Sequence, residues 1–279
     1  MRFLDLLSAI LYGALQGAAE FLPVSSSGHL ALLHQMIGTS DTGHLVFDVL
    51  LHLATLLAVA IVYRKDLLGL LRGGLSLVQK LFTGHILSEK TSEERLFLLL
   101  CVSSLPLLPA ALLADRVEAI GASLPAVGAL LICNGILLLL ADRLPKGRKP
   151  ADRMTFPEAL FVGCTQMFGI LPGISRSGAT VTGCRLVGTD GEQAVHYSFL
   201  LSFPAIFGAF VLKLPAFISS LSAGIPVTPY LAGFLTAFAV GLLAVRLLKK
   251  LSKRGFGAFG LYTILIGAFA VAARLIGWK

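Results

Sequence analysis

Long apolar runs separated by short charged segments dominate this chain. Six of them approach the ~20 residues needed to cross a bilayer: Leu45–Tyr63, Leu96–Ala114, Ala126–Ala141, Ser198–Leu214, Tyr230–Leu248 and Ala258–Leu275. Two further apolar regions, 3–37 and 156–187, are interrupted. One carries Phe21-Leu22-Pro23-Val24-Ser25-Ser26-Ser27-Gly28-His29, the other Leu171-Pro172-Gly173-Ile174-Ser175-Arg176-Ser177-Gly178. Proline removes a backbone donor and glycine lets the chain turn. Non-helical backbone at membrane depth survives only inside protein or around a water-filled cavity. Both regions are therefore predicted as re-entrant hairpins of two half-helices, with a pair of kinked spans as the alternative. The predicted fold class is an all-α polytopic membrane protein: six transmembrane helices plus two re-entrant helical hairpins, in a single integral membrane domain over 1–279.

Composition excludes the soluble alternative. Of 279 residues, 56% are hydrophobic and 14% charged, more apolar surface than a soluble domain of this size could bury. A net charge of +8 would suggest nucleic acid only if it formed a basic face on a soluble domain. No nucleic-acid partner is expected, and the lipid bilayer is the surrounding medium. The basic excess instead orients the chain. With Met1 and Lys279 outside, hairpins returning to their own side and spans alternating, seventeen of the 23 Lys and Arg residues fall inside. They cluster in 64–95, 143–153 and 246–254, with Arg185 after the second hairpin. Five fall outside, and Arg176 lies within a hairpin; the positive-inside rule favours this orientation. Cys101, Cys133, Cys164 and Cys184 sit in apolar stretches without metal-ligand spacing, so neither a disulfide framework nor a zinc site is expected. Met1–Leu15 is apolar but runs on into polar residues, which argues against a cleavable signal peptide.

The two interrupted regions resemble each other. Gly13-Ala14-Leu15-Gln16 aligns with Gly163-Cys164-Thr165-Gln166 at an offset of 150, Leu22-Pro23 with Leu171-Pro172 at 149, and Ser27-Gly28 with Ser177-Gly178 at 150. Three spans follow each hairpin. An odd number of crossings per half makes the second half enter upside down, which predicts an inverted-topology repeat of 1–150 and 151–279 whose broken segments meet near the midplane. Chance alignment of small residues is the alternative.

The polar residues of the hairpins carry the candidate chemistry. The first holds Gln16, Glu20, Ser25, Ser26, Ser27 and His29, and the second Ser175, Arg176, Ser177, Thr180 and Thr182. Ionisable groups at membrane depth are costly and mark a site. Arginine presents a planar fork of donors to phosphate oxygens; hydroxyls and free N–H groups at half-helix starts add anion contacts. A carboxylate holds a divalent cation or accepts a proton. Histidine serves as acid or base beside a serine nucleophile. Together they suggest phosphoryl chemistry on a lipid-embedded substrate. Plainer roles stand beside these: helix caps for Gln16 and the serines, an ion pair for Glu20 and Arg176, a freed carbonyl satisfied by His29. Asp48 and His52, four apart in an apolar span, are either a polar pair or a support for the site.

Gln16-x-x-x-Glu20, Pro23-Val24-Ser25-Ser26-Ser27-Gly28-His29 and Pro172-Gly173-Ile174-Ser175-Arg176-Ser177-Gly178-Ala179-Thr180 resemble the motifs of the bacterial undecaprenyl-diphosphate phosphatase family, namely (E/Q)xxxE and PGxSRSxxT. The resemblance runs across nearly the whole chain. It implies a multi-pass enzyme of the bacterial cytoplasmic membrane that hydrolyses undecaprenyl diphosphate, and other prenyl diphosphates, to the monophosphate and inorganic phosphate. That reaction recycles the lipid carrier for peptidoglycan and other envelope polymers and confers bacitracin resistance. It also implies a divalent cation, Mg2+ or Ca2+, and an extracytoplasmic site. By matching position, Glu20 would bind metal or move a proton, with Gln16 as a neutral ligand where the family often has a second carboxylate. Ser26 would be the nucleophile with His29 as its acid–base partner, a water activated by Glu20 or metal being the alternative. Arg176 would clamp the diphosphate, with Ser175, Ser177 and Thr180 on its oxygens and Ser27 as a further substrate contact. Self-association as a homodimer is left open.

Two other families of membrane protein share some of these features. Ser26-Ser27-Gly28-His29 resembles an element of the type-2 phosphatidic acid phosphatase superfamily, but its KxxxxxxRP element is absent and Thr182 stands where a His is required. Broken helices in an inverted repeat also suit a lipid-carrier or anion transporter. Transport needs no nucleophile or proton donor, so the Glu, Ser, His and Arg set favours hydrolysis.

Overall fold

The computed structural model describes residues 5–37, 43–85, 88–222, 227–251 and 255–276. Phe3 and Leu4 of the first hairpin, both chain ends and the basic pair at 253 and 254 lie outside them. Among the described residues the chain forms thirteen α-helices, and a lone bridge between Lys149 and Thr189 stands in place of any strand. In order they are α1 Leu6–Ala19, α2 Ser26–Ile37, α3 Gly43–Val62, α4 Arg64–Phe82, α5 Ser92–Ser104, α6 Leu107–Ala110, α7 Ala114–Gly121 and α8 Leu124–Arg143. Then come α9 Phe156–Phe168, α10 Arg176–Leu186, α11 Gly191–Ser222, α12 Val227–Leu251 and α13 Gly257–Leu275.

Local chemistry sets the helix starts. The Asp5 carboxylate accepts from the Ser8 N–H at 2.6 Å ahead of α1. Thr91 with Glu94, and Thr155 with Glu158, form capping boxes at α5 and α9, each satisfying amide donors that have no partner inside the helix.

Among the described residues four helices are long and apolar enough to cross a membrane: Leu124–Arg143, Gly191–Pro215, Val227–Leu248 and Gly257–Leu275. A fifth is reached if Val46–Val62 and Arg64–Phe82, bent by 85° at Tyr63, count as one. This is fewer than the six continuous spans expected. Leu96–Ala114 is not one rod but α5, α6 and a 3-10 turn at Ala111–Leu113, because Pro106 and Pro109 interrupt the ladder. The shortest expected span gains a turn to become α8, with Pro125 in its first turn. Ser198–Leu214 lies inside the longer α11, which tolerates Pro204 and Pro215 in its interior. The basic stretch after Tyr63, expected as a loop, is the nineteen-residue helix α4.

Both interrupted regions are pairs of helices packed on each other, α1 with α2 and α9 with α10. Small residues let the helices approach closely. A Cβ at Gly13 would strike the Gly233 carbonyl of α12, and one at Gly163 the Ser103 carbonyl of α5. Gly128 and Gly135 of α8 meet Gly267 and Gly260 of α13 in an antiparallel pair. Two apolar clusters fill the interior. One centres on Tyr12, Phe47 and Tyr230, the other on Tyr63, Leu99, Tyr197 and Phe199. The loops of the two helix pairs meet where α8 passes.

Candidate active site

The chain leaves α1 at Glu20 and re-enters helix at Ser26; between them lies Pro23. Ser25 adopts φ 70°, a left-handed conformation that costs a non-glycine residue about 1–3 kcal/mol. Its hydroxyl offsets this by accepting from two backbone amides, Gly28 at 3.2 Å and Gly173 at 3.1 Å. The second belongs to the other loop. Gly173 has φ 117°, and a Cβ on Gly28 would sit 2.9 Å from its Cα. A Cβ on Gly173 would in turn strike Leu130 and Val127 of α8, so the second loop fits between α2 and α8 because both positions lack side chains.

Asn134 of α8 ties them again. Its Nδ2 donates to the Pro23 carbonyl at 3.0 Å, and its Oδ1 accepts from the Ser175 amide at 2.8 Å. Ser175 caps α10, its Oγ accepting from Gly178 N–H at 3.1 Å. Arg176, the first residue of α10, is thereby set opposite Glu20.

The Glu20 carboxylate is 7% exposed and surrounded by donors. Oε1 is paired with Arg176 Nη2. Oε2 accepts from Ser26 Oγ at 2.7 Å and from Gln16 Nε2 at 3.0 Å. His52 Nε2 of α3 lies 3.6 Å from the same oxygen. Of the two sequence readings of Asp48 and His52, the supporting role describes His52. Asp48 turns to His34, 3.2 Å away, and is joined to His52 only through its carbonyl, which accepts from Nδ1 at 2.7 Å.

His29 is not bonded to Ser26. Its Nδ1 lies 2.8 Å from the Ser25 carbonyl, and its Nε2 lies 2.9 Å from the Tyr262 hydroxyl of α13. A carbonyl only accepts, so Nδ1 carries a proton, and in the neutral ring Nε2 accepts from Tyr262. Ser26 is thus hydrogen-bonded to Glu20, while His29, its expected acid–base partner, lies on the Ser25 carbonyl.

The expected phosphate-binding hydroxyls are also engaged within the protein. Ser177 Oγ donates to the Phe21 carbonyl at 3.3 Å and lies 3.0 Å from Ser175 Oγ. Thr180 Oγ1 bonds the Arg176 and Ser177 carbonyls at 2.9 and 3.1 Å and touches Ser198. Ser27 Oγ reaches Ser25 Oγ at 3.4 Å. The structure brings together Gln16, Glu20, Ser26 and Arg176. His29 is anchored at the next turn of α2, and Thr180 faces away along α10.

A divalent cation would need oxygen ligands. Among the described residues no group of three or more His, Cys, Asp or Glu could hold a metal ion. One atom nevertheless fits an oxygen ligand: Gln16 Oε1 is buried beside Glu20 with no hydrogen-bond partner. Glu20 and Gln16 together would offer two points of attachment.

Sequence reasoning missed Asn134 and Tyr262. Asn134 had a signal, being a lone amide inside an apolar run where a polar side chain needs a reason. Tyr262 had none, because an aromatic residue in a membrane helix is unremarked by pattern.

Residues 9–269 match the family described as bacitracin resistance protein BacA. The chain is 39% identical over 280 residues to an undecaprenyl-diphosphatase of Desulforapulum autotrophicum, covering 98% of this chain and 100% of the relative. It is 36% identical over 279 residues to one of Methanosphaera stadtmanae, with 98% and 99% covered. A third, from Rubrobacter xylanophilus, is 38% identical over 279 residues, with 98% and 100% covered.

Proposed function

The chain belongs to the bacitracin resistance protein BacA family, and from that premise we propose that the site built on Glu20 hydrolyses undecaprenyl diphosphate. The protein is a multi-pass membrane undecaprenyl-diphosphatase that returns the lipid carrier as its monophosphate and confers bacitracin resistance. The observation that carries the site is Glu20, buried between Arg176 of one helix pair and Ser26 of the other.

The chemistry follows from competition for Arg176. An arriving diphosphate engages the guanidinium in bidentate fashion and draws it from Glu20. The starts of α2 and α10, at Ser26 and Arg176, add the positive ends of two helix dipoles. Glu20 then takes the Ser26 proton as Oγ attacks phosphorus, or takes one from a water in the same place. The leaving prenyl phosphate departs as an anion, and water releases inorganic phosphate from Ser26. His29, its Nδ1 proton held by the Ser25 carbonyl and its Nε2 accepting from Tyr262, would donate a proton only once Nε2 is itself protonated. A divalent cation held by Glu20 and Gln16 would neutralise phosphate charge, the remaining ligands coming from the diphosphate itself. Ser175, Ser177 and Thr180 act by shaping α10, and Ser27 by shaping the loop beside it.

The finer architecture is also a proposal: six crossings, with α5–α7 a proline-broken one, two re-entrant helix pairs, and an inverted repeat of 1–150 and 151–279. Recurrence at an offset of 150 supports it. Gln16 and Gln166 are both fully buried, Gly13 and Gly163 both meet a carbonyl, and Ser25 and Ser175 both accept from the amide three residues on. The count of basic residues supports an inner-membrane orientation with both termini and the site outside. Other prenyl diphosphates fit the same site, and homodimerisation is compatible with it.

Phosphate release from undecaprenyl diphosphate by the purified chain, with and without chelator, tests the site. Activity should vanish in Glu20→Gln and Arg176→Met and fall on chelation. Undiminished release by either variant would sink the assignment. A cysteine-free variant with a single cysteine at Lys249 should resist impermeant labelling from outside intact cells.

A further inference from the structure

Helix α4 presents three distinct faces. Gly69, Leu70, Gly73, Gly74 and Leu77 are buried, the glycines lying against Glu93 and Phe97 of α5. Leu68, Leu71, Leu75, Val78 and Phe82 are exposed, Leu75 by 70% and Phe82 by 85%. At 3.6 residues per turn these five fall within an arc of about 80°. Exposed Lys65, Arg72 and Gln79 run along one edge of that stripe. The helix's one acidic residue, Asp66, is held by His196 at 3.1 Å, and Lys80 is paired with Glu94 at 2.8 Å.

Water is a poor neighbour for such a stripe, and the described residues leave it uncovered. Two observations identify the occupant. Helix α3, which precedes the stripe across the 85° bend, exposes apolar Leu57 and Ile61 near that bend. A helix nearly perpendicular to a spanning helix lies in the plane of the membrane. The polar edge is basic, as an in-plane helix at an anionic surface requires.

We propose that α4 is an interfacial helix that seats Leu68, Leu71, Leu75, Val78 and Phe82 among the acyl chains of one leaflet. Along its edge, Lys65 and Arg72 hold anionic phospholipid headgroups. The proposal rests on the reading of α3 as a membrane span.

The test uses the full chain in vesicles of phosphatidylglycerol and phosphatidylcholine, in a Trp278→Phe background that removes its single tryptophan. With Leu75→Trp, acyl-brominated lipid should quench the emission severalfold, and aqueous iodide should have little effect. Gln79→Trp should show the reverse balance. Leu57→Trp on α3 separates the two readings: quenching there but not at Leu75 overturns the interfacial helix alone. No quenching at either position overturns the span and the proposal with it. Cross-linking of Leu75→Cys to a second copy would instead assign the stripe to a subunit contact. For the headgroups, Lys65→Gln with Arg72→Gln should lower severalfold the phosphatidylglycerol that co-purifies relative to phosphatidylcholine. An unchanged ratio overturns that half of the proposal.

Discussion

Arg176 and Glu20 are bonded across two loops, and two interpretations of that pair diverge under substitution. Arg176→Met keeps much of the side-chain volume but strips the carboxylate of its main counter-charge. Glu20 is only 7% exposed, and breaking a buried pair by removing one partner costs about 3–5 kcal/mol. Ser26, Gln16 and His52 remain on Oε2, so the lower figure, about 3 kcal/mol, is expected. Adding Glu20→Gln removes the stranded charge. Neutral replacement of a buried pair is close to thermodynamically neutral, so the double variant should recover to within about 1 kcal/mol of wild type. Activity should not follow stability: both variants should lose roughly 10²–10³-fold in phosphate release, the scale of losing a preorganised donor. Denaturant titration in mixed micelles, followed by far-ultraviolet circular dichroism, gives the stabilities on the same preparations. Additive destabilisation in the double variant would refute the stranded-charge reasoning. A recovered double variant that also regained activity would reduce the pair to a structural brace.

Other substitutions probe the framework. Asn134→Ala orphans the Pro23 carbonyl and the Ser175 amide, at about 1–3 kcal/mol each, and should lower kcat by misplacing Arg176; Asn134→Asp, which keeps the acceptor for Ser175, should lie between in thermal unfolding. Gly13→Ala and Gly163→Ala should each destabilise by about 1–3 kcal/mol, because each Cβ meets a backbone carbonyl that cannot retreat. Gly208→Ala, with open space around its Cβ, should instead stabilise α11 by up to about 1 kcal/mol in the same assay.

Much of this arrangement is written in local pattern. The breaks at Pro23 and Pro172 are legible because proline and glycine act on the chain in their own neighbourhood, and the structure ends helices at both. The four helices that are long and apolar enough to cross a membrane are legible for the same reason. Leu96–Ala114 misled because mean hydropathy is blind to where Pro106 falls within a run. Helix α4 was hidden by its charges: counting Lys and Arg for sidedness discards the spacing of Leu68, Leu71 and Leu75. In the site, residue types pointed to Glu20 and Arg176, but their pairing joins two loops 156 positions apart. Ser26 reaches Glu20 from only six positions away, through a turn whose path at Ser25 no residue-type pattern reports, and Tyr262 meets His29 from 233 positions away.

The separation of Glu20 from its arginine has a consequence for biogenesis. Translation at about 5–20 residues per second takes roughly 8–30 s to traverse the 156 positions between them. On the proposed re-entrant reading, Glu20 would lack its arginine throughout that interval. The first helix pair is then expected to wait at the aqueous boundary and to dock only after α10 has been made. Ribosome-arrested chains stopped before Arg176 should leave a cysteine placed at Val24 open to a water-soluble maleimide, and chains extended past Leu186 should protect it. Assembly of the centre is thus a late event, timed by the length of chain between its two halves.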